Sequence, residues 1–279
     1  MAAFTIRRLL RHEEFRACER LQQTVWGSLS VSSELMLVTQ KYGGLVLGAL
    51  AEGELVGFLY AFLARRGGRL IHWSHMMAVA PAYRGRGLGF RMKRAHRRWA
   101  LEHGLRSIGW TFDPLQSRNA ALNLRRLGAR VEEYVVDCYG RFPSALEHGL
   151  PSDRWVVEWP IASAAVARRL KEGPPPVGKT LPICVNETAL NRAGLLENRR
   201  LYLHHHAPRL WVEIPPDTEA MRLRDLALAQ RWRLETRRIF QHYLASGYKV
   251  KDFISTQGDA RRQCFYLLER ARPTLRRPA

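Results

Sequence analysis

The sequence predicts an α/β (α+β) fold in which a mixed, mostly antiparallel twisted sheet is flanked by helices and followed by a smaller C-terminal α/β extension. Apolar runs of strand length alternate along the chain with segments of helical period. Residues 45–50 and 55–63 are two such runs, and only a short turn around Gly53 separates them, which predicts an antiparallel hairpin. Because a sheet buries its apolar faces against helices, the helical segments are expected to cover this sheet.

The predicted elements of the first part begin with a strand and an amphipathic helix. A later strand leads into a glycine-containing loop, and the basic helix that follows is stopped by Gly104. The predicted order is strand 4–10, helix 13–26, strands 45–50, 55–63 and 70–79, the basic helix from Leu88, strand 107–112, helix 119–127 and strand 131–139.

A run of three prolines at residues 174–176 predicts a linker, because consecutive prolines favour a stiff, extended chain. We therefore expect a first domain at residues 1–160, a proline-rich linker at 161–180 and an extension at 181–279. The extension is predicted to contain strands 181–185, 210–214, 249–254 and 264–268 and a long helix at 224–244.

Composition limits the class of protein. The chain has 279 residues and a formal net charge of +20, which invites a nucleic-acid partner because basic residues release counterions from phosphates. However, 39 of its 45 basic residues are arginine, a bias that genome composition can also produce, and no nucleic-acid recognition motif accompanies them. The chain has no 18-residue apolar run, its N-terminus lacks a signal-peptide core, and its four cysteines show no C-x-x-C spacing. We therefore expect a cytoplasmic protein with reduced thiols and no membrane partner.

The segment between the predicted strand 70–79 and the basic helix is the most informative part of the chain. It reads Arg84-Gly85-Arg86-Gly87-Leu88-Gly89, and seven Arg or Lys but no Asp or Glu occur from Arg84 to Arg98. Free backbone N–H groups and a positive dipole at a helix start, with glycines that allow close approach, suit a bound pyrophosphate. The spacing fits neither a P-loop nor a dinucleotide-binding fingerprint.

In this register the segment resembles the signature loop of the GNAT superfamily of acyl-CoA N-acyltransferases, R-x-x-G-x-G after a strand ending in Val79-Ala80-Pro81. The resemblance covers roughly residues 4–160 and implies a GNAT-like fold. The C-terminal part is similar to the extension of a long-chain GNAT subgroup. An unrelated strand-turn-helix with a solvated basic face is the alternative.

The resemblance implies acetyl-CoA or another acyl-CoA, including succinyl-CoA, as the donor. Met77 and Val79 would lie beside the pantetheine arm, and the loop would hold the pyrophosphate. The implied coenzyme-binding residues are Met77, Val79, Arg84, Gly85, Arg86, Gly87, Leu88 and Gly89, with Asn119 and Asn123 close enough to contact coenzyme or substrate.

His75 lies two residues before Met77, where some family members carry a residue that accepts the amine proton. The usual pKa of histidine, near neutrality, suits that task. An equal alternative is that His75 is a core histidine bonded to a neighbour. Strict alternation along a strand places Trp73, His75, Met77 and Val79 on one face and His72, Ser74 and Met76 on the other.

The residue at the position of the general acid differs from the family pattern. Counting back from Gly128, the position of the usual tyrosine is Leu124, and Ser117 stands at the usual asparagine. Tyr134, Tyr139 or water could protonate the leaving thiolate instead.

Other charged groups give weaker signals. Asp113 and Asp153 could contact an amine, and Arg233 and Arg237 could hold a carboxylate, but solvated ion pairs are the commoner interpretation. Residues 204–206 are three adjacent histidines, whose side chains would point to opposite faces of an extended chain, so no metal site is expected.

These observations predict an N-acyltransferase that moves an acetyl or other acyl group, including succinyl, from acyl-CoA to a primary amine of a small molecule such as an amino acid. The reaction would proceed by direct attack in a ternary complex. A non-catalytic protein of the same fold that binds nucleic acid or acts as a regulator is the alternative, and homodimerisation is open.

Overall fold

The structure, a computed structural model, describes residues 4–27, 31–140, 149–177, 183–258 and 261–270. These residues form two compact units. Unit 1 comprises the described residues up to Thr111 and from Val156 to Gly173, and unit 2 comprises those of 112–140, 149–155 and 174–270.

The helices and strands follow one another in this order: β1 (Phe4–Arg8), α1 (His12–Trp26), α2 (Ser33–Lys41), β2 (Leu45–Ala51), β3 (Glu54–Arg66), β4 (Arg69–Val79), α3 (Leu88–Glu102), β5 (Ile108–Phe112), α4 (Ser117–Ala120), β6 (Arg130–Val135), β7 (Arg154–Trp159), α5 (Ala164–Glu172), β8 (Ile183–Cys184), β9 (Asn186–Leu190), β10 (Leu196–Leu201), β11 (Arg209–Ile214), α6 (Thr218–Arg224), α7 (Leu226–Ala245), β12 (Tyr248–Gln257) and β13 (Arg262–Arg270). A short 3₁₀ helix, Pro81–Tyr83, precedes α3, and a π-helical segment, Ala121–Arg126, follows α4.

Unit 1 is built on a twisted sheet with strand order β1-β2-β3-β4-β5-β7. The pairs from β1 to β4 are antiparallel, whereas β5 joins β4 in parallel. The predicted hairpin between β2 and β3 is confirmed, and its turn places Glu52 and Gly53 at positive φ. The predicted α/β (α+β) class with a mostly antiparallel sheet is therefore confirmed.

Helices cover both faces of this sheet. Phe15 and Cys18 of α1 and Met36 of α2 pack with Phe58 and Tyr60 of β3 in one core cluster. In the other cluster, Leu88 and Met92 of α3 pack with Leu47, Leu59 and Ala61. Helix α2 was not predicted, because it is only nine residues long; Ser32 caps it by accepting a hydrogen bond from the Leu35 N–H at 3.2 Å.

The strand β4 contains a β-bulge that changes which side chains share a face. Met76 pairs with Tyr60 and Ser74 with Ala61, so His75 is the extra residue of β4 at this point. An extra residue shifts the period-2 alternation by one position. The strict alternation expected from the sequence is therefore wrong beyond Ser74.

The contacts of the side chains show the corrected faces. His72 and Ser74 bond to residues of α3, and Met77 and Val79 also pack in the cluster that contains α3. His75 contacts the rings of Tyr60 and Phe62 on the face that α1 and α2 cover. His75 and Met77, expected on one face, lie on opposite faces.

Unit 2 contains a four-stranded sheet of order β12-β13-β11-β8 and the hairpin β9–β10. The long helix α7 buries one apolar stripe, which includes Trp232, Ile239 and Phe240. The predicted long helix and strands near residues 210–214, 249–254 and 264–268 are confirmed. The hairpin β9–β10 was not predicted, because its strands are rich in polar residues.

The compact units differ from the division expected at the predicted linker, residues 161–180. Residues 112–140 group with unit 2, and α5 occupies much of the expected linker. Helix α5 begins after Ser163, whose Oγ accepts from the Val166 N–H at 3.3 Å, and it ends before the proline run.

None of the helices in the described part of the chain is long and apolar enough to cross a membrane.

Candidate functional site

The strands β4 and β5 pair over two residues and then part. His72 pairs with Ile108 and Trp73 with Gly109, and no later β4 residue among those described pairs with β5. On its other side β4 stays paired with β3 as far as Val79. The β4 edge from Ser74 to Val79 therefore presents backbone N–H and C=O groups that an extended ligand can bind.

The glycine loop predicted from the sequence follows the C-terminal end of β4, where this free edge ends at Val79. Gly85 and Gly87 have φ values of 79° and 76°, which side chains with a Cβ atom rarely adopt. A Cβ atom built on either glycine would meet no protein atom within 4 Å, so the space beside the loop is open. Glycine is required here by backbone conformation, and the open side leaves room for a ligand.

Helix α3 starts at Leu88 with Gly87 as its N-cap, and no side chain in the described part of the chain caps it. The first N–H groups of a helix have no partner within the helix, and the dipole makes this end positive. The exposed Arg84 and Arg86 add charge. Arg84 Nε donates to the Val79 carbonyl at 3.2 Å, and the Arg86 guanidinium lies 5.2 Å from the Tyr83 ring centroid. The residues present therefore fit a pyrophosphate.

One residue of the basic face of α3 has a structural role. Arg91, Arg94 and Arg98 are exposed, while Leu88 and Met92 are buried. Arg91 Nη2 donates to the Phe4 carbonyl at 2.7 Å. This arginine therefore ties α3 to β1.

The bulge presents His75 to solvent. Its exposed ring lies 6.0 Å from Tyr60 and 5.6 Å from Phe62, measured between centroids. Although the ring is open on one side, the surrounding side chains remove water and lower the pKa of His75 below its usual 6.5. The neutral imidazole is then the main form at pH 7, as a general base requires.

The residues predicted near the leaving group belong to unit 2. Asn119 is exposed on α4, and Asn123 is buried in the π-helical segment. Leu124 is buried and carries no proton that it could donate. Ser117 Oγ donates to the Pro216 carbonyl at 2.6 Å. The coenzyme contacts of Asn119 and Asn123 stay predictions.

The two tyrosines considered as acids differ. Tyr134 donates its hydroxyl to Asp153 at 2.6 Å, and burial, together with this carboxylate, raises the pKa of Tyr134 well above its usual range. Tyr139 is exposed and lies under the Arg154 guanidinium, 5.2 Å from the ring centroid. The bond to Asp153 makes Tyr134 a poor proton donor.

The acidic and basic residues expected to form solvated ion pairs instead form two pairs in which one side chain is buried and the other is half-buried. Arg233 Nη2 donates to Asp113 at 2.7 Å, and the Arg233 side chain is 1% exposed. Arg237 donates Nε and Nη2 to the two oxygens of Asp153 at 2.8 and 2.7 Å, and Asp153 is fully buried. Sequence spacing could not show this, because the partners are 120 and 84 residues apart.

The three adjacent histidines differ in exposure. His204 and His206 are exposed, and the His205 ring lies 5.4 Å from the Tyr202 ring, tilted by 45°. Among the described residues no group of three His, Cys, Asp or Glu side chains could hold a metal ion. The four cysteines are free, and Cys18 and Cys264 are buried.

The anion cradle at the start of α3 adjoins the free edge of β4, an arrangement that can hold the phosphates and the extended arm of a coenzyme. Residues 7–129 match the model of the Acetyltransferase (GNAT) family, so this part of the chain is a GNAT-type, acyl-CoA-dependent N-acyltransferase domain.

Three solved structures illustrate the similarity. The ribosomal-protein-S18-alanine N-acetyltransferase from Escherichia coli is 17% identical, covers 58% of this chain and 96% of its own, and gives a TM-score of 0.48. The IAA acetyltransferase from Bacillus cereus is 18% identical, covers 56% of this chain and 98% of its own, and gives a TM-score of 0.45. An aminoglycoside acetyltransferase from an uncultured soil metagenomic sample is 21% identical, covers 40% of this chain and 78% of its own, and gives a TM-score of 0.36. Similarities this low carry no argument about the acceptor.

No curated protein sequence matches this chain.

Proposed function

We propose that the chain transfers an acetyl or other acyl group, succinyl included, from acyl-CoA to a primary amine of a small molecule such as an amino acid. The observation that carries this proposal is the cradle at Gly85, Gly87 and the start of α3, which adjoins the free edge of β4. A pyrophosphate in the cradle directs the pantetheine arm along Val79 and Met77. The thioester then lies near the bulge at His75.

The chemistry requires a neutral amine. In the ternary complex His75 accepts a proton from the amine, directly or through water, while the amine nitrogen attacks the thioester carbonyl. A C–N bond forms, the C–S bond breaks, and the thiolate takes a proton from water. The lowered pKa of His75 keeps the imidazole ready to accept the proton near pH 7.

The experiment combines binding and turnover. Calorimetric titration with acetyl-CoA and succinyl-CoA is followed by an amine panel with released thiol as the readout. Submillimolar binding, which corresponds to about 4 kcal/mol or more of affinity, together with thiol release on addition of an amine supports the proposal. Binding to nucleic acid that weakens steeply with salt, without thioester cleavage by any amine, would favour the non-catalytic alternative.

The glycine loop gives a prediction for coenzyme binding. Gly87→Ala is expected to raise the Kd for acetyl-CoA about 10-fold, because a Cβ disfavours the left-handed conformation by about 1–2 kcal/mol and occupies the open side of the cradle. Calorimetric titration measures this change.

Gly104→Ala is the matched control. Gly104 has a φ of 74° just after the same helix, and a Cβ there also meets no protein atom within 4 Å. The Cβ of this variant strains the backbone to a similar degree but lies outside the cradle, so the Kd for acetyl-CoA should stay within twofold of that of the parent. Equal losses of affinity in both variants would contradict the cradle.

A further inference from the structure

Three side chains meet where β4 and β5 part. Trp73 and Gly109 are the last paired residues, and Ser74 and Trp110 follow them on the two strands. Lys93 of α3 donates from Nζ to Ser74 Oγ at 2.9 Å, and the same nitrogen lies 3.5 Å from the centroid of the Trp110 ring. We call Ser74, Lys93 and Trp110 the fork cluster. Lys93 thus spans the two strands where they separate.

The fork cluster contains a buried lysine amino group that has no acidic partner among the described residues. Lys93 is 3% exposed, and no carboxylate in the described part of the chain pairs with it. Burial lowers the pKa of Lys93 to about 7. Lysine is almost never fully buried unless it is paired, because desolvation of the ammonium is costly.

The neighbours of Lys93 do not supply the missing charge. His72 and His96 share a hydrogen bond at 2.6 Å, and burial lowers the pKa of both, so the pair is neutral. Trp110 Nε1 is also buried without a hydrogen-bond partner. The fork cluster therefore contains two buried donor groups, the Lys93 amino group without an acidic partner among the described residues and the unsatisfied Trp110 N–H, and a carboxylate is the kind of acceptor that Lys93 lacks.

The place of the cluster in the fold suggests which ligand would bring this carboxylate. The pyrophosphate cradle lies beyond Val79, and the edge of β4 runs from there back to Ser74, five residues or about 17 Å away. A pantetheine arm extended along this edge carries its acyl group toward the fork cluster. The part of the ligand farthest from the cradle is the end of the acyl chain.

We propose that the fork cluster binds the terminal carboxylate of a dicarboxylic acyl group, so that acyl-CoA donors ending in a carboxylate are the preferred substrates. The inference rests on the proposed function, because it requires the acyl-CoA to lie along β4. The two faces of β4 have different roles in this proposal. The acyl chain turns toward α3 and the fork cluster, whereas His75 serves the amine from the opposite face.

The test compares succinyl-CoA with butyryl-CoA, which has the same number of acyl carbons but no carboxylate. The parent protein is expected to have a kcat/KM for succinyl-CoA at least 10-fold above that for butyryl-CoA. Lys93→Met fills similar space without charge, and it is expected to lower kcat/KM and affinity for succinyl-CoA by about 10- to 100-fold, the range of a charge-assisted hydrogen bond. Affinity for butyryl-CoA should stay within threefold, which also shows that the variant is folded.

Lys171→Met is the matched control, because Lys171 is an exposed lysine of the same unit on α5. It removes one positive charge without touching the fork cluster, so the succinyl to butyryl ratio should not change. A parent protein that does not prefer succinyl-CoA, or a Lys93→Met variant with an unchanged ratio, would overturn the inference.

The two proposals fail in different ways. If butyryl-CoA or acetyl-CoA binds and is turned over but succinyl-CoA is no better, the carboxylate inference fails and the proposed function stands. If no acyl-CoA binds at submillimolar concentration, the proposed function fails and the inference fails with it.

Discussion

Replacing His75 by alanine is expected to lower kcat by about 10²- to 10⁴-fold, the usual contribution of a positioned general base. The bulge in β4 turns this side chain toward solvent, on the face opposite Met77, where an incoming amine has access. Because His75 does not contact the cradle, the Kd for acyl-CoA should stay within threefold. Released thiol measures turnover, and calorimetry measures binding.

The pH profile separates a base from a structural residue. The active form is the neutral imidazole, so kcat/KM, calculated for the concentration of neutral amine at each pH, should be full above the pKa of His75 and fall as the pH drops through it. Since this pKa is lowered, the acid limb should lie below pH 6.5, and it should disappear in the alanine variant.

His103→Ala is the control, because His103 is an exposed histidine of the same unit beyond the end of α3. Its kcat and its acid limb should match those of the parent. A His75→Ala variant with kcat within threefold of the parent would remove His75 from the mechanism.

Asp153→Asn is expected to lower the free energy of unfolding by about 3–5 kcal/mol, the cost of breaking a buried ion pair. The fully buried carboxylate accepts from Arg237 Nε and Nη2, from the Tyr134 hydroxyl at 2.6 Å and from the Asp137 N–H at 3.0 Å. Asparagine keeps the shape but removes the charge, and it leaves Arg237 without its counterion. Denaturant unfolding of the full chain, followed by tryptophan fluorescence, measures the loss.

An exposed pair in the same unit provides the comparison. Arg209 Nε lies 3.1 Å from Glu269, and the two side chains are 63% and 32% exposed. Glu269→Gln should therefore cost only about 0–1 kcal/mol. If Asp153→Asn cost no more than Glu269→Gln, the buried pair would not stabilise unit 2 as described.

Much of the fold could be predicted because the signals are local. The hairpin β2–β3, the basic helix α3 and the long helix α7 each carry a period that a short window reveals. Elements with weak periods were missed: α2 is short, and β9 and β10 are polar. Helix α5 was assigned to a linker because the prolines at 174–176 dominated the interpretation of that segment.

The candidate site divides in the same way. The loop from Arg84 to Gly89 could be recognised from sequence, since its glycines, its charges and the following helix are contiguous. The bulge at His75 could not, because it exists only in the pairing of β4 with β3, and it moved the residue to the other face. No sequence signal marked Lys93, which reads as one more cation in a basic helix.

By itself the sequence determined the elements of the main sheet, the anion-binding loop and the superfamily resemblance, because each depends on residues close together in the chain. Only the tertiary structure decided which face of β4 carries His75, that Lys93 is buried between Ser74 and Trp110, and that a buried Asp153 pairs with Arg237. Strand pairing and burial bring together residues that lie far apart in the chain. The protonation and partners of these groups depend on that packing.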